Sequence, residues 1–219
     1  MSQTTKKKRT KVAIALASLA LVGTVAIGGI SAYFTDSKAK DNTFTVGEGV
    51  GITLTEPGWN DADVSHTNIV PGATFTKDPT ITNDGSVDAY AFVKVNVPYK
   101  NVVTANADGS KNEAAYTELF DYTVNGDWAE VGTPTYDETT GYATHVYVYG
   151  TGFACTKLTG GQSTPAVFNS VQFANVVEGQ VNGETLTIGV KGYAIQADNL
   201  TDGTSDPASV WGILANQAV

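Results

Sequence analysis

Residues 89–97 read Ala-Tyr-Ala-Phe-Val-Lys-Val-Asn-Val, and this stretch decides the fold class. Its small and β-branched residues occupy every second position, so a β-strand would place them on one face and the Tyr, Phe, Lys and Asn side chains on the other. Pro98 follows and lacks the N–H that a strand ladder needs, so we expect the strand to end there. The stretch therefore predicts a β-strand with a continuous apolar face.

The same two-residue periodicity recurs at residues 50–55, 144–149 and 185–190. The pairs Asn125-Gly126 and Asn182-Gly183 supply the positive-φ positions of a tight turn and predict two β-hairpins. Strands and turns in this arrangement predict a mainly all-β chain that folds as an antiparallel β-sandwich.

Helical patterns are few and short. Residues 112–119 fit about two turns of helix. Asp206 and Pro207 have the pattern of a helix cap followed by a first-turn proline, and Val210 and Leu214 after them share one helical face. We expect a short C-terminal helix that closes one end of the core.

Residues 1–32 carry the pattern of an export signal. A basic head over residues 6–11 precedes an apolar run over residues 12–30, and small residues end that run. The run is longer than an ordinary signal core and close to the length of a membrane-spanning helix, so a retained membrane anchor is the alternative. We expect cleavage between Ala32 and Tyr33, which limits membrane contact to the signal segment and delivers the rest of the chain outside the cytoplasm.

The chain after the signal is expected to consist of an extended segment, residues 33–46, and a single β-sandwich domain, residues 47–219. The whole chain has 13 Lys and Arg against 22 Asp and Glu, a formal net charge of −9, and part of the basic charge lies in the signal segment. A polyanion without a basic stripe is repelled by phosphate backbones, which argues against nucleic-acid binding. The acidic surface favours solubility, and attraction of Ca²⁺ or of cationic partners is the alternative.

Residues that usually build catalytic sites are scarce. The chain has two histidines, His66 in a predicted loop and His145 in a predicted strand, and neither belongs to the HExxH pattern that holds zinc on a helix. We expect neither to have a metal-ligand or general-base partner. Cys155 is the only cysteine and is expected to be a buried apolar side chain without a disulfide. The sequence therefore predicts no catalytic residues, no zinc site and no cofactor.

Acidic side chains in loops are the remaining candidates for metal binding. Asp198, Asp202 and Asp206 offer hard oxygen ligands at loop spacings that Ca²⁺ tolerates, and so do Asp61 and Asp63. Neither group matches an EF-hand loop. We favour the alternative that these are solvated loop acids and that Asp206 caps the C-terminal helix.

Two blocks near the predicted cleavage point resemble a known family. Residues 33–38, Tyr-Phe-Thr-Asp-Ser-Lys, and residues 42–47, Asn-Thr-Phe-Thr-Val-Gly, are similar to the mature N-terminus of the TasA and camelysin (CalY) family. Further similar blocks lie at residues 70–72, 77–79, 83–86, 88–95 and 193–198. The resemblance runs from the signal segment to about residue 97 and returns over residues 193–211, whereas residues 98–183 match only in strand-like character.

The resemblance implies a secreted biofilm-matrix protein with a jelly-roll-like β-sandwich, exported through a signal peptidase of the SipW type and polymerised into a fibre by strand donation. Its partners would be further copies of itself, with other matrix components as additional candidates. Camelysins also carry a metallopeptidase label, so a secreted metallopeptidase is one alternative, although the zinc pattern is absent. A monomeric cell-surface adhesin or binding module is the other.

Residues 33–46 would form a free N-terminal tail after cleavage. An open sandwich exposes strand edges, and an extended tail from a neighbouring subunit can pair with such an edge. We expect Phe34, Phe44 and Val46 to anchor the tail in the neighbour's open core edge, and Phe44 and Val46 share one strand face. The alternative is that the tail pairs with its own domain.

Overall fold

The structure is a computed structural model that describes residues 49–60 and 66–217. These ranges contain twelve β-strands, a short 3-10 turn at Thr201–Gly203 and one α-helix. The strands are β1 (Ile52–Thr55), β2 (Thr74–Thr76), β3 (Thr80–Asn83), β4 (Ala89–Val102), β5 (Ala115–Glu118), β6 (Phe120–Asp121), β7 (Trp128–Glu130), β8 (Thr135–Asp137), β9 (Tyr142–Tyr149), β10 (Lys157–Leu158), β11 (Ser170–Phe173) and β12 (Gly189–Gln196), and the helix is α1 (Pro207–Ala215).

The strands form one large sheet and two small ones. The large sheet contains seven strands around β4, the second has the order β2-β11-β6, and the third pairs β1 with β3. Every pairing is antiparallel. The prediction of a mainly β, antiparallel, jelly-roll-like sandwich with a short C-terminal helix is confirmed.

Strand β4 contributes both of its faces to the hydrophobic interior. Val93, Val95 and Val97 are fully buried in the main core, which also contains Phe168 and Phe173 from the opposite side of the sandwich. The apolar face predicted from the alternation in residues 89–97 is therefore confirmed.

The opposite face of β4 is covered by the C-terminal helix. Tyr90 and Phe92 form a second buried cluster with Val210 and Leu214 of α1. The expectation that this helix closes one end of the core was wrong, because it packs on the outer face of the large sheet. Its start was predicted correctly, since the Asp206 carboxylate accepts a hydrogen bond of 2.9 Å from the Ser209 N–H.

Two local predictions within the large sheet were wrong. Strand β4 continues past Pro98 to Val102, and the Pro98 carbonyl accepts a hydrogen bond of 2.8 Å from the Leu119 N–H. Residues 112–119 contain strand β5 instead of a helix, because β5 pairs with residues 99–102 of β4. In both places, pairing between distant strands outweighs a local preference.

The two predicted hairpins were also wrong. The turn at Asn125 exists, with the Trp128 N–H donating to the Asn125 carbonyl at 3.0 Å, but β6 and β7 on either side belong to different sheets. Gly183 has φ of 75° in the second turn, yet the following strand begins only at Gly189. Local turn chemistry therefore predicted the reversals but not the strand partners.

Within the described ranges, no helix is both long and apolar enough to cross a membrane.

Replacing Phe92 tests the double-sided packing of β4. Phe92 is 0% exposed, so Phe92→Ala should lower the free energy of unfolding by about 3–5 kcal/mol, because it removes apolar contacts and leaves a cavity. Phe153→Ala is the matched control, since Phe153 is 90% exposed and its loss should change stability by less than about 0.5 kcal/mol. Urea unfolding followed by circular dichroism measures both, and equal effects would contradict the packing described here.

Candidate functional site

A cleft of about 530 Å³ lies where the inner face of the large sheet meets the three-stranded sheet. Val93 pairs in register with Tyr147, and Val95 pairs with His145, so these two β9 residues lie on the core face of the sheet. The inner face thus changes from apolar to polar towards the cleft, which we call the tyrosine cleft. Its lining consists of Tyr99, Tyr116, Thr117, Glu118, Phe120, Asp121, Tyr122, Tyr136, His145 and Tyr147.

His145 is held between two carboxylates inside this cleft. Its Nδ1 lies 2.8 Å from Glu130 Oε1, and its Nε2 lies 3.0 Å from Glu118 Oε2. The side chain is 11% exposed. Burial lowers the pKa of His145, but hydrogen bonds and charge attraction from Glu118 and Glu130 outweigh it, so the pKa is raised overall. The expectation that this histidine has no acid–base partner was wrong.

A pair of tyrosines closes the inner end of the cleft. The Tyr122 and Tyr147 hydroxyls lie 3.0 Å apart, and Tyr122 packs edge-on against the His145 ring. Burial raises the pKa of Tyr147 to about 12 and also raises the pKa of Tyr122. Both phenols are therefore neutral at ordinary pH and serve as hydrogen-bonding groups.

Three further tyrosines form the outer rim. The ring centroids of Tyr99 and Tyr116 lie 5.2 Å apart, and those of Tyr99 and Tyr136 lie 5.0 Å apart. Tyr116 and Tyr136 are 40% and 53% exposed. The rim therefore presents aromatic surface to solvent beside the Glu118 carboxylate.

The residues of the cleft do not fit a catalytic zinc ion, which normally takes three protein ligands converging on one point. The two ring nitrogens of His145 face different carboxylates, so Glu118 and Glu130 lie on separate sides of the imidazole. Among the described residues, no group of three or more His, Cys, Asp or Glu side chains is arranged to hold a metal ion.

The other histidine and the cysteine lie elsewhere. The His66 ring stacks on Trp59 with centroids 3.9 Å apart, and its edge meets Phe75. Cys155 belongs to the cluster under α1, where burial and the nearby Asp206 carboxylate raise the pKa of its thiol to about 12. Cys155 is a buried free thiol, as the sequence predicted.

The aspartates proposed as calcium ligands occupy separate positions around the last turn and helix. Asp198 forms an ion pair of 2.6 Å with Lys157, Asp202 lies in the 3-10 turn with φ of 59°, and Asp206 caps α1. Asp61 and Asp63 lie outside the described residues. That these are solvated loop acids stays a prediction, with calcium binding as the alternative.

The predicted processing and assembly residues lie outside the described part of the chain. These are Ala32 and Tyr33 at the cleavage point, and Phe34, Phe44 and Val46 in the tail. Export through a SipW-type peptidase and strand donation by the tail stay predictions.

A second, smaller depression of about 240 Å³ borders strand β2, and we call it the apolar groove. Its lining includes Ile69, Phe75, Leu186 and Ile188, which are half-buried and pack against the main core. Lys77 also lines it and forms an ion pair of 2.7 Å with Glu56. The periodicity of residues 185–190 predicts a strand over this whole range, but β12 begins only at Gly189, and residues 186–188 line the groove instead. The sequence therefore did not predict this groove.

The fold and these two depressions define the chain as an antiparallel β-sandwich protein with an acidic, tyrosine-lined cleft. A family model described as camelysin metallo-endopeptidase matches residues 5–129, more than half of the chain, and the chain belongs to this family. The resemblance to the TasA and camelysin family is thereby confirmed. No curated protein and no solved structure matches the chain significantly. The matched range includes Glu118 but ends before His145, so only part of the tyrosine cleft lies within it.

The carboxylates around His145 should make stability depend on pH. Because the folded-state pKa of His145 is raised, its stabilising contribution is complete below the unfolded value of about 6.5 and is lost as pH rises through the folded-state pKa. The free energy of unfolding of the wild type relative to His145→Gln should therefore be about 1 kcal/mol larger at about pH 5.5 than at about pH 9. Urea titrations at both pH values measure this difference.

The control for this experiment is Phe153→Ala, which replaces an exposed side chain that has no titratable group. Its stability difference from the wild type should be nearly the same at both pH values. A His145→Gln difference that does not change with pH would contradict a charged imidazole between Glu118 and Glu130.

Proposed function

We propose that this chain is a secreted, non-catalytic structural subunit of extracellular fibres, in which residues 33–46 of one copy add as a β-strand to the next copy. The observation that carries the proposal is the apolar groove beside the edge strand β2. Membership of the camelysin family and the export signal pattern of residues 1–32 support it.

The groove combines an open strand edge with apolar side chains. Within the described ranges β2 pairs only with β11, so its other edge has N–H and C=O groups available for a further strand. Phe75 of β2 lines the groove together with Leu186 and Ile188. An added strand would complete the hydrogen bonding of β2 and cover these half-buried side chains.

The tail has the composition that such a groove requires. Phe44 and Val46 share one strand face and lie just before the first described residue, Gly49. Burying each of these side chains contributes about 1.5–3 kcal/mol, and ladder hydrogen bonds add to this at each contact between copies. The tail therefore supplies both apolar contacts and hydrogen bonds at each contact between copies.

Removing the tail should abolish assembly and leave the domain folded. A protein that starts at Gly47 should remain soluble, with the circular dichroism of a β protein, and should form no filaments in negative-stain electron microscopy. Phe44→Asp should weaken assembly because it places a charge in an apolar groove. Thr45→Asp is the matched control, since Thr45 lies on the opposite strand face and its replacement should permit filaments.

A variant of the apolar groove tests whether the tail of one copy pairs with another copy or with its own domain. Ile188→Asp alters the groove and leaves the tail intact, so it should also form no filaments. Mixed with Phe44→Asp, which keeps the groove, it should form dimers that do not grow, as seen by sedimentation. Filaments from the Gly47 protein would refute donation by the tail, and monomers throughout would favour the adhesin alternative.

The family description makes a secreted metallo-endopeptidase the second candidate. The arrangement of His145, Glu118 and Glu130 does not provide the converging ligands of a zinc site, which argues against it. The double variant His66→Ala/His145→Ala should therefore keep any intrinsic activity of the wild type, although a cost in stability is expected from the carboxylates left without His145. Because His66 lines the apolar groove, assembly is compared with the single variant His145→Ala, which should form filaments as the wild type does.

Proteolysis assays with and without a chelator, on protein repurified to constant specific activity, measure this outcome. If the folded double variant lost a zinc-dependent proteolysis that the wild type retained through repurification, the non-catalytic proposal would be wrong.

A further inference from the structure

We propose that the tyrosine cleft binds the side-chain cation of a lysine or arginine on a basic partner segment. This inference does not depend on strand donation, because it concerns the carboxylates and tyrosines of the cleft and not the open edge of β2. The argument rests on the charge of the cleft, on its aromatic rim and on the placement of His145.

The charge of the cleft is complementary to a cation. Glu118 and Asp121 line it, Glu130 lies behind His145, and none of the described lining residues is Lys or Arg. The Glu138 carboxylate adds negative charge beside the Tyr116 hydroxyl at the rim. An anionic ligand would be repelled by these groups, whereas an ammonium or guanidinium group would find carboxylate partners.

The rim supplies the second element of cation recognition. Tyr99 contacts both Tyr116 and Tyr136, so aromatic rings from three strands surround the entrance. The electron-rich faces of such rings attract cations within about 6 Å of their centroids. The Glu138 carboxylate raises the pKa of Tyr116, and burial together with the Glu118 carboxylate raises the pKa of Tyr136, so both rings stay neutral phenols. Their rings also suit the alkyl stem of a lysine or arginine.

The protonation state of His145 determines the net charge of the cleft. When His145 is protonated, its positive charge lies between Glu118 and Glu130. When it is neutral, the negative charges of these carboxylates are not compensated. The other titratable groups that face it are Tyr122, Tyr136 and Tyr147, which stay neutral, and Asp121, which lines the same cleft. Affinity for a cation should therefore increase as pH rises and His145 loses its proton.

Equilibrium dialysis of a fluorescent tetralysine peptide against the mature protein tests the proposal, and it works whether or not the protein forms filaments. The same peptide with its side-chain amines acetylated is the neutral control. At an ionic strength of about 0.15 M, where long-range attraction is screened, tetralysine should bind more tightly than the acetylated peptide by roughly tenfold or more. Binding should also strengthen between about pH 6 and about pH 9, on either side of the unperturbed histidine pKa.

Variants separate a site in the cleft from general attraction to an acidic protein. Tyr136→Ala removes an aromatic face at a half-exposed position and should weaken tetralysine binding roughly fivefold, whereas Tyr136→Phe keeps the ring and should retain it. Glu118→Gln should weaken binding, and Glu178→Gln is its matched control on an exposed loop outside the cleft. Circular dichroism confirms that each variant is folded.

Equal effects of Glu118→Gln and Glu178→Gln would overturn the proposal, because binding would then follow net charge alone. Equal affinity for the acetylated peptide would also overturn it, since the cleft would then recognise neutral chains. Failure of strand donation would leave these results unchanged, so the two proposals stand or fall separately.

Discussion

The need to satisfy every backbone group of the buried strand β4 determines the arrangement of the rest of the chain. This strand of 14 residues pairs with β12 over residues 89–96, with β9 over residues 92–98 and with β5 over residues 99–102. Unpaired N–H and C=O groups in such a position would each cost free energy comparable to a lost hydrogen bond. Its neighbours are therefore fixed in register, and that register places His145 beside Val95 and hence in the cleft.

Sequence patterns succeeded where a single segment contains its own signal. The alternation in residues 89–97 predicted the apolar face of β4, and the cap formed by Asp206 predicted the start of α1. They failed where the partner lies far along the chain. Residues 112–119 suit a helix locally, but β5 completes the pairing of the last four residues of β4. Long-range hydrogen bonding outweighs such weak local preferences, so no window of sequence could have predicted this strand.

The tyrosine cleft could not be predicted from the sequence for the same reason. Three strands contribute Glu118, Glu130 and His145. His145 is 27 residues from Glu118 and 15 residues from Glu130, so the three form no sequence motif. A motif such as HExxH depends on spacing along a helix, whereas in a sheet the register between strands decides which side chains meet. Only the fold, where the ends of the two facing sheets meet, brings the tyrosines together around one opening.

The buried thiol of Cys155 has a consequence for how copies of this chain can be joined. A thiol reacts with oxidants and with other thiols as the thiolate, and a pKa of about 12 leaves almost none of that form at neutral pH. An oxidising medium therefore gives the folded chain no disulfide through its single cysteine. Copies of the folded chain are therefore not joined by a disulfide, and a reducing agent alone should not dissolve an assembly of them.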